Sequence, residues 1–389
     1  MGKYLPAAID NLSGSCLPKA YKWGLVTNNA AVTVDNLPVR QRLLALGYQL
    51  SCLFAPEHGL NAGLPDGSPV PFQQDELTGL PVYSLYAGSF SPPEEVVEPL
   101  DGILFDLPDV GCRFYTYLWT LTYIMEACIH YHKPLYVLDR ANPTGGMMDW
   151  VEGPWLDEKT CSSFIGRWNI PVRHSCTLGE LALYFRRTRL PQLHLEVIPC
   201  SGWKRSMHVL MPGMAIFPPS PALKHPQAIM LYPGLGLLEG VLVNEGRGTP
   251  FSFTSVSAPW LQAGTMLDAF CGKAIEGVLM EEITVMPEWG VYAGQNCSGL
   301  KFRIVEPEVF KPVAFGVQLI QIMAKIHGSL LQPRLYPTVA NPTGKHHLNR
   351  LLGVPNAFDG IVSGNILPET RIARLWQNMV APDLLYNEH

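Results

Sequence analysis

Four short apolar runs, each closing on polar or glycine-rich residues, set the rhythm of the first third of the chain. They read "WGLVTNNA" (23–30), "YQLSCLFAPEHG" (48–59), "PLDGILFDLPDVG" (99–111) and "PLYVLDRANPTGG" (134–146). Runs this short, nearly continuous in apolar residues and bounded by turn formers, predict strands buried on both faces. Between them the period changes. "LPVRQRLLALG" (37–47) spaces its apolar residues as a helix and stops on glycine, and "YTYLWTLTYIMEACIHYHK" (115–133) continues the helical pattern. Strand and helix in alternation predict an α/β fold around a parallel-rich sheet.

Further along, "TLGELALYFRR" (177–187) predicts a helix opened by a capping box between Thr177 and Glu180, and "LHLEVIPCSGW" (193–203) follows it. The proline-dense "FPPSPALKHP" (217–226) is stiff and poor in regular structure, so the boundary between two domains is set there, at 1–226 and 227–389. The second, smaller α/β domain carries "NEGRGTPFSF" (244–253), a helical "FGVQLIQIMAKIHG" (315–328) and a terminal helix near 367–379.

Composition narrows the function classes. With 47% apolar and 16% charged residues a large core forms. The net charge of −5 argues against a nucleic-acid partner, whose phosphates call for a basic patch. Nine cysteines stand singly, with no C-x-x-C pair, and are expected to be reduced and buried. No signal-peptide pattern opens the chain, and no run approaches the roughly 18 apolar residues of a membrane span, so a cytoplasmic protein without a membrane partner is expected.

Polar residues gather just after the apolar runs: Asn28, Glu57, His58, Asp106, Asp109, Asp139 and Arg140. In open α/β sheets ligands bind beyond the carboxyl ends of the strands, which puts these groups on one rim. Several chemistries could use them. "GLGLLEG" (234–240) misses the dinucleotide fingerprint by one residue, and "NPTGG" has no following Lys-Ser/Thr, so no nucleotide cofactor is expected. Glu57, His58 and the strand-end aspartates would suit a hydrolytic metal, yet no fixed spacing such as H-E-x-x-H supports it, and "HH" at 346–347 reads as packing. No G-x-S-x-G elbow occurs.

Paired carboxylates remain. Glu57 after "LFAP" is expected to be partly desolvated, which favours a proton donor, whereas Glu245 stands two residues before Arg247, which favours its charged form. Acid plus stabiliser is the pattern of glycoside hydrolysis; a capping glutamate and a surface ion pair are the plain alternative. "CRFYTYLWT" (112–120) offers aromatic faces to a sugar ring or to the core, and Arg113 and Arg140 offer forks for a carboxylate or pins for a loop.

"LFAPEHG", "TGLPVYSLY", "FDLPDVGCRFYTY", "VLDRANPTGG", "VEGPWL", "IPVRHSCTLGELA", "PPSP", "YPG…LLEG" and "NEGRGTPF", in that order, resemble the NamZ family of exo-β-N-acetylmuramidases from about residue 22 to the C-terminal "LLY". The resemblance implies a Rossmann-like N-terminal domain, a smaller C-terminal domain, a cleft between them and no nucleotide. It implies release of terminal β-linked N-acetylmuramic acid from peptidoglycan fragments, with Glu57 as general acid beside His58 and Glu245 contributed by the other domain. Asn28, Asp106, Asp109, Arg113, Tyr115, Arg140, Asn142, Glu152 and Arg247 become the expected substrate contacts. A metal-dependent hydrolase and a non-catalytic sugar-binding protein are the rival readings. This chain departs from the family pattern at Asn61, commonly Arg, and at Pro108, Ala141, Ser175–Cys176 and Asn244, so the grip on the muramyl carboxylate is where a difference is expected.

Overall fold

The structure is a computed structural model, and it describes residues 3–12, 17–65, 67–68, 71–86, 89–271, 275–366 and 371–388. In the first part of the chain, strands β1 (Lys22–Val26), β2 (Gln49–Ala55), β3 (Gln73–Gln74), β4 (Pro81–Ser84), β5 (Gly102–Phe105), β6 (Leu135–Leu138) and β7 (Leu195–Ile198) form one sheet in the order β3-β4-β2-β1-β5-β6-β7. Every neighbouring pair is parallel except the short edge strand β3, which runs antiparallel to β4. Helices α1 (Val39–Ala45), α2 (Tyr117–His130) and α3 (Leu178–Thr188) connect the strands. With helices packed over it, the central strand β1 is solvent-free at Trp23, Leu25 and Val26, which is why its sequence shows an apolar run in place of alternation.

All four expected strands form, each shorter than its apolar run because the polar tail turns out of the sheet. Thr27 and Asn28 leave β1, and Pro56 ends β2. The capping box forms: Thr177 Oγ1 accepts from the Glu180 amide, and Glu180 Oε2 accepts from the Thr177 amide. Strand β4 has no counterpart among the expected elements; it opens on proline and is four residues long.

The second part begins with α4 (Pro226–Leu235) and a 3-10 turn over Gly236–Gly240. Strands β8 (Ser255–Ala258), β9 (Val278–Val285) and β10 (Cys297–Ile304) make an antiparallel sheet in the order β8-β10-β9. Helices α5 (Ala263–Cys271), α6 (Pro312–His327), α7 (His347–Leu352), α8 (Ala357–Val362) and α9 (Ile372–Val380) complete it. The expected terminal helix is α9; residues 367–370 of that expectation lie outside the described residues.

The glycines of "GLGLLEG" serve packing. Helices α4 and α6 touch backbone to backbone, and a Cβ at Gly234 would lie 1.9 Å from the Pro312 carbonyl oxygen. Gly236 lies flush on Phe114, and Gly240 on Leu348, so the turn carrying Glu239 is pressed between the two parts of the chain. The expectation that no segment is long and apolar enough for a membrane span does not hold. Helix α6 with the turn to Leu330 is long and apolar enough, by length and composition, to cross a membrane, and half of it is buried against the rest of the protein. The seven described cysteines whose side chains are placed are free and buried, and burial pushes the Cys52 thiol up to about 12.

Candidate active site

A cleft of about 720 Å³ opens where the two parts of the chain meet. Its first wall comes from the turn after β2 (Glu57, His58), from Tyr86 after β4, from Phe114–Thr116 before α2 and from 163–165. Its second comes from Tyr232 of α4, Glu239, residues 247–253, the β9–β10 loop at Glu288 and Trp289, and the 336–351 segment. The sheet order places β1 at the point where the connections switch direction, and the cleft takes residues that follow the carboxyl ends of β2 and β4, the end of the sheet where such folds bind ligands.

The turn after β2 is built tightly around its two chemical groups. Pro56 closes the strand, and the Gly59 amide bonds back to its carbonyl at 3.0 Å. His58 takes φ of +69°, uncommon for a residue with a side chain. Its Nδ1 lies 2.8 Å from the Leu64 carbonyl, and a carbonyl can only accept, so Nδ1 carries the proton and a neutral ring leaves Nε2 as an acceptor. Glu57 Oε1 accepts from the Gly67 amide at 2.7 Å. The Tyr86 hydroxyl faces this carboxyl; burial foremost, and then the Glu57 charge, push its ionisation upward, so it stays a neutral donor.

Glu239 is the second carboxylate on the cleft surface. Arg247 Nη2 meets it at 2.6 Å, and His347 Nε2 lies 3.9 Å away. Arg247 spans two acids, because its Nη1 also meets Glu245 at 2.5 Å. Glu245 itself is 1% exposed and does not line the cleft; Arg334 approaches its other oxygen at 3.4 Å. The expected pairing of Glu57 with Glu245 across the cleft is therefore corrected: Glu245 sits behind Arg247 as its anchor, and Glu239 takes the surface position.

Of the other expected contacts, Tyr115 and Arg247 line the cleft. The remaining ones lie elsewhere, each with a structural task. Asn28 donates to the Tyr117 hydroxyl at 2.9 Å. Arg113 is fully buried and gives all its bonds to carbonyls: Nη1 to Pro154 and Ile170, Nη2 to Leu351 and Leu352. Burial pushes Arg113 down to about 10. Asp106 and Arg140 form an ion pair away from the cleft, and burial still pushes the Asp106 carboxyl up. Asn142 caps its own turn through Thr144, and Glu152 accepts from the Ala314 amide at the start of α6 while facing Arg173 at 3.6 Å. Asp109 Oδ2 lies 3.6 Å from His174 Nε2; burial pushes Asp109 up to about 7 and His174 down to about 3, so the pair is neutral near its midpoint. Asn28, Asp106, Asp109, Arg113 and Arg140 are expected here from strand ends, which fix height on the sheet but not which side of the rim a side chain takes, and Asn142 and Glu152 from the family resemblance.

The cleft residues it missed are Tyr86, Tyr232, Glu239, Trp289, Tyr336, His347 and Arg350. Glu239 stood in the quoted "LLEG" and His347 in the "HH" read as packing. Tyr86 closes the quoted "TGLPVYSLY" and Tyr232 opens "YPG", while nothing local marks Trp289, Tyr336 or Arg350. Among the described residues no three His, Cys, Asp or Glu side chains converge as metal ligands would.

Comparison with known proteins fits this arrangement. Family models for exo-beta-N-acetylmuramidase NamZ match the chain twice, the N-terminal model over residues 23–227 and the C-terminal model over 230–382. The chain belongs to the NamZ family. It is 34% identical over 313 residues to the peptidoglycan beta-N-acetylmuramidase NamZ of Bacillus subtilis (strain 168), covering 79% of this chain and 74% of that protein. The crystal structure of a DUF1343 family protein from Bacteroides fragilis NCTC 9343 superposes with a TM-score of 0.85 at 26% identity, over 98% of this chain and 99% of that one. A second DUF1343 protein from the same organism, 24% identical, shares the fold with a TM-score of 0.74, over 99% of each chain.

Proposed function

We propose that this family member is a glycoside hydrolase that releases terminal β-linked N-acetylmuramic acid from the non-reducing end of peptidoglycan fragments, with Glu57 as the general acid. The reading rests first on one observation: Glu57 reaches the cleft surface from a strained strand-end turn, one oxygen held by the Gly67 amide and a neutral tyrosine hydroxyl facing it. A carboxyl fixed in this way can pass a proton to a glycosidic oxygen without reorganising.

As that oxygen is protonated its bond to the anomeric carbon breaks, and positive charge spreads over the ring oxygen and that carbon. Glu239, fixed in place by Arg247 on the opposite wall, is the carboxylate assigned here to face this charge. His58, with Nε2 as an acceptor, can orient a hydroxyl or a water beside Glu57. The aromatic walls, Phe114, Tyr115, Tyr232 and Phe253, present ring faces and edges of the kind that pack on sugars. The attacking group, a water or the substrate's own acetamido oxygen, follows from chemistry on the substrate side of the bond.

The test is release of chromophore from an aryl N-acetylmuramide and from its N-acetylglucosaminide counterpart, each with and without chelator. Release from the first alone, unchanged by chelator, is expected. No release from either at high protein concentration overturns the reading, and loss on chelation transfers it to a metal-dependent hydrolase.

A further inference from the structure

Several buried polar atoms without a hydrogen-bond partner line the same cleft. They include Ser163 Oγ, Ser252 Oγ, both ring nitrogens of His347 and Nη1 of Arg350. Folded proteins satisfy nearly all buried polar groups, so a set of unsatisfied ones on one concave surface marks where a polar ligand completes the bonding. His347 is the most enclosed of them, with its side chain 5% exposed. Its ring stacks on Tyr336, centroids 4.4 Å apart and planes 9° from parallel, which fixes its orientation.

Arg350 stands three residues after His347 on α7 and shares its cleft-facing side. Among the described residues no carboxylate pairs with its guanidinium, whereas the other cleft arginine, Arg247, already carries two acids. Burial pushes Arg350 downward, the mark of a cation partly removed from water without a matching anion. The helix that presents it is pinned from behind, since Arg113 bonds the carbonyls of Leu351 and Leu352. The position is thus set before any ligand arrives.

We propose that Arg350, with His347 beside it, forms the subsite that grips the lactyl carboxylate of the muramyl ring. The inference rests on the proposed activity and names the group that separates muramic acid from glucosamine. A guanidinium fork matches a carboxylate in two parallel bonds, and a partly buried one strengthens them. The other arginines expected to hold this carboxylate are engaged elsewhere, Arg113 on carbonyls and Arg140 on Asp106. Position 61 is also closed to the task, because Asn61 accepts from Asn29, which in turn accepts from Arg40.

The experiment is calorimetric binding of free N-acetylmuramic acid and of its lactyl methyl ester to the full-length protein, which needs no turnover. Wild type is expected to bind the acid at least tenfold more tightly than the ester. Arg350→Met is expected to bind both alike, and Arg350→Lys to keep part of the preference, with thermal midpoints checking that each variant is folded. An unchanged acid-to-ester ratio in Arg350→Met overturns the proposal, as does equal binding of the two by wild type, which decides the matter even where the variants do not fold. Absence of aryl N-acetylmuramide hydrolysis in wild type, with the acid preference intact and lost in Arg350→Met, would instead remove the proposed activity and leave the carboxylate subsite standing.

Discussion

Arg247 reaches Glu245 behind the cleft wall at 2.5 Å, while its other terminal nitrogen holds Glu239 at 2.6 Å on the cleft side. One guanidinium therefore couples a structural acid to a surface one, and the two glutamates separate by experiment. Glu245→Gln weakens a buried pair and is expected to lower stability by about 3 kcal/mol, with activity of the folded protein kept within about tenfold. Glu239→Gln is expected to lower kcat by roughly a hundredfold or more, with a stability loss no larger than that of Glu245→Gln because its side chain lines the open cleft. Denaturant titration and initial rates on an aryl N-acetylmuramide read both; the reverse assignment of the two losses would refute the layering.

Glu57→Gln keeps the shape and the Gly67 contact but cannot give up a proton. A fall in kcat of roughly a thousandfold is expected, with product affinity nearly unchanged. A variant retaining a tenth of the wild-type rate would put the acid elsewhere.

The neutral Asp109–His174 pair predicts a pH signature in stability. Burial raises Asp109 from an ordinary 3.8 to about 7, so between those values the unfolded chain releases a proton that the folded one keeps. Its contribution to stability is full at low pH and is lost as pH rises to about 7, at no more than about 1.4 kcal/mol per pH unit. Asp109→Asn removes this loss. Thermal midpoints of variant and wild type are expected to diverge in the variant's favour from pH 5 to pH 7.5, and a constant difference would show that Asp109 ionises in the fold as it does in water.

Gly234 and Gly213 make a matched pair of substitutions. A Cβ at Gly234 meets the Pro312 carbonyl oxygen at 1.9 Å, so Gly234→Ala must push α4 from α6, at roughly 3 kcal/mol. Gly213 has φ of +80° and open space around it, so its alanine variant carries only the backbone penalty of about 1 kcal/mol. Equal effects in denaturant titration would rule out the backbone contact.

Trp289 is 56% exposed at the cleft edge, on a loop between β9 and β10. Trp289→Ala is expected to raise KM for a muramyl disaccharide by about tenfold through loss of a stacking face, leaving the thermal midpoint unchanged. An unaltered KM would make it a bystander.

How much of this was legible beforehand differs by scale. Strand β1 could be read from "WGLV" because a strand covered on both faces needs no alternation, and the capping box at Thr177 and Glu180 is a local pattern of four residues. Glu57 and His58 could be read because their turn follows directly on β2. Arg113 and Glu245 were misplaced because each stands within two residues of a cleft residue, Phe114 and Arg247, and sequence says nothing about whether a side chain turns toward the opening or away from it. Arg350 was invisible: it becomes a cleft residue only when α7 docks against Gly240, more than a hundred residues earlier in the chain.

The four carbonyls gathered by Arg113 come from both parts of the chain, Pro154 and Ile170 on one side and Leu351 and Leu352 on the other. Such a rivet leaves the two jaws no inexpensive way to breathe. One side chain thus knots the two walls of the cleft together at four points, and the distance between those walls is set by its reach.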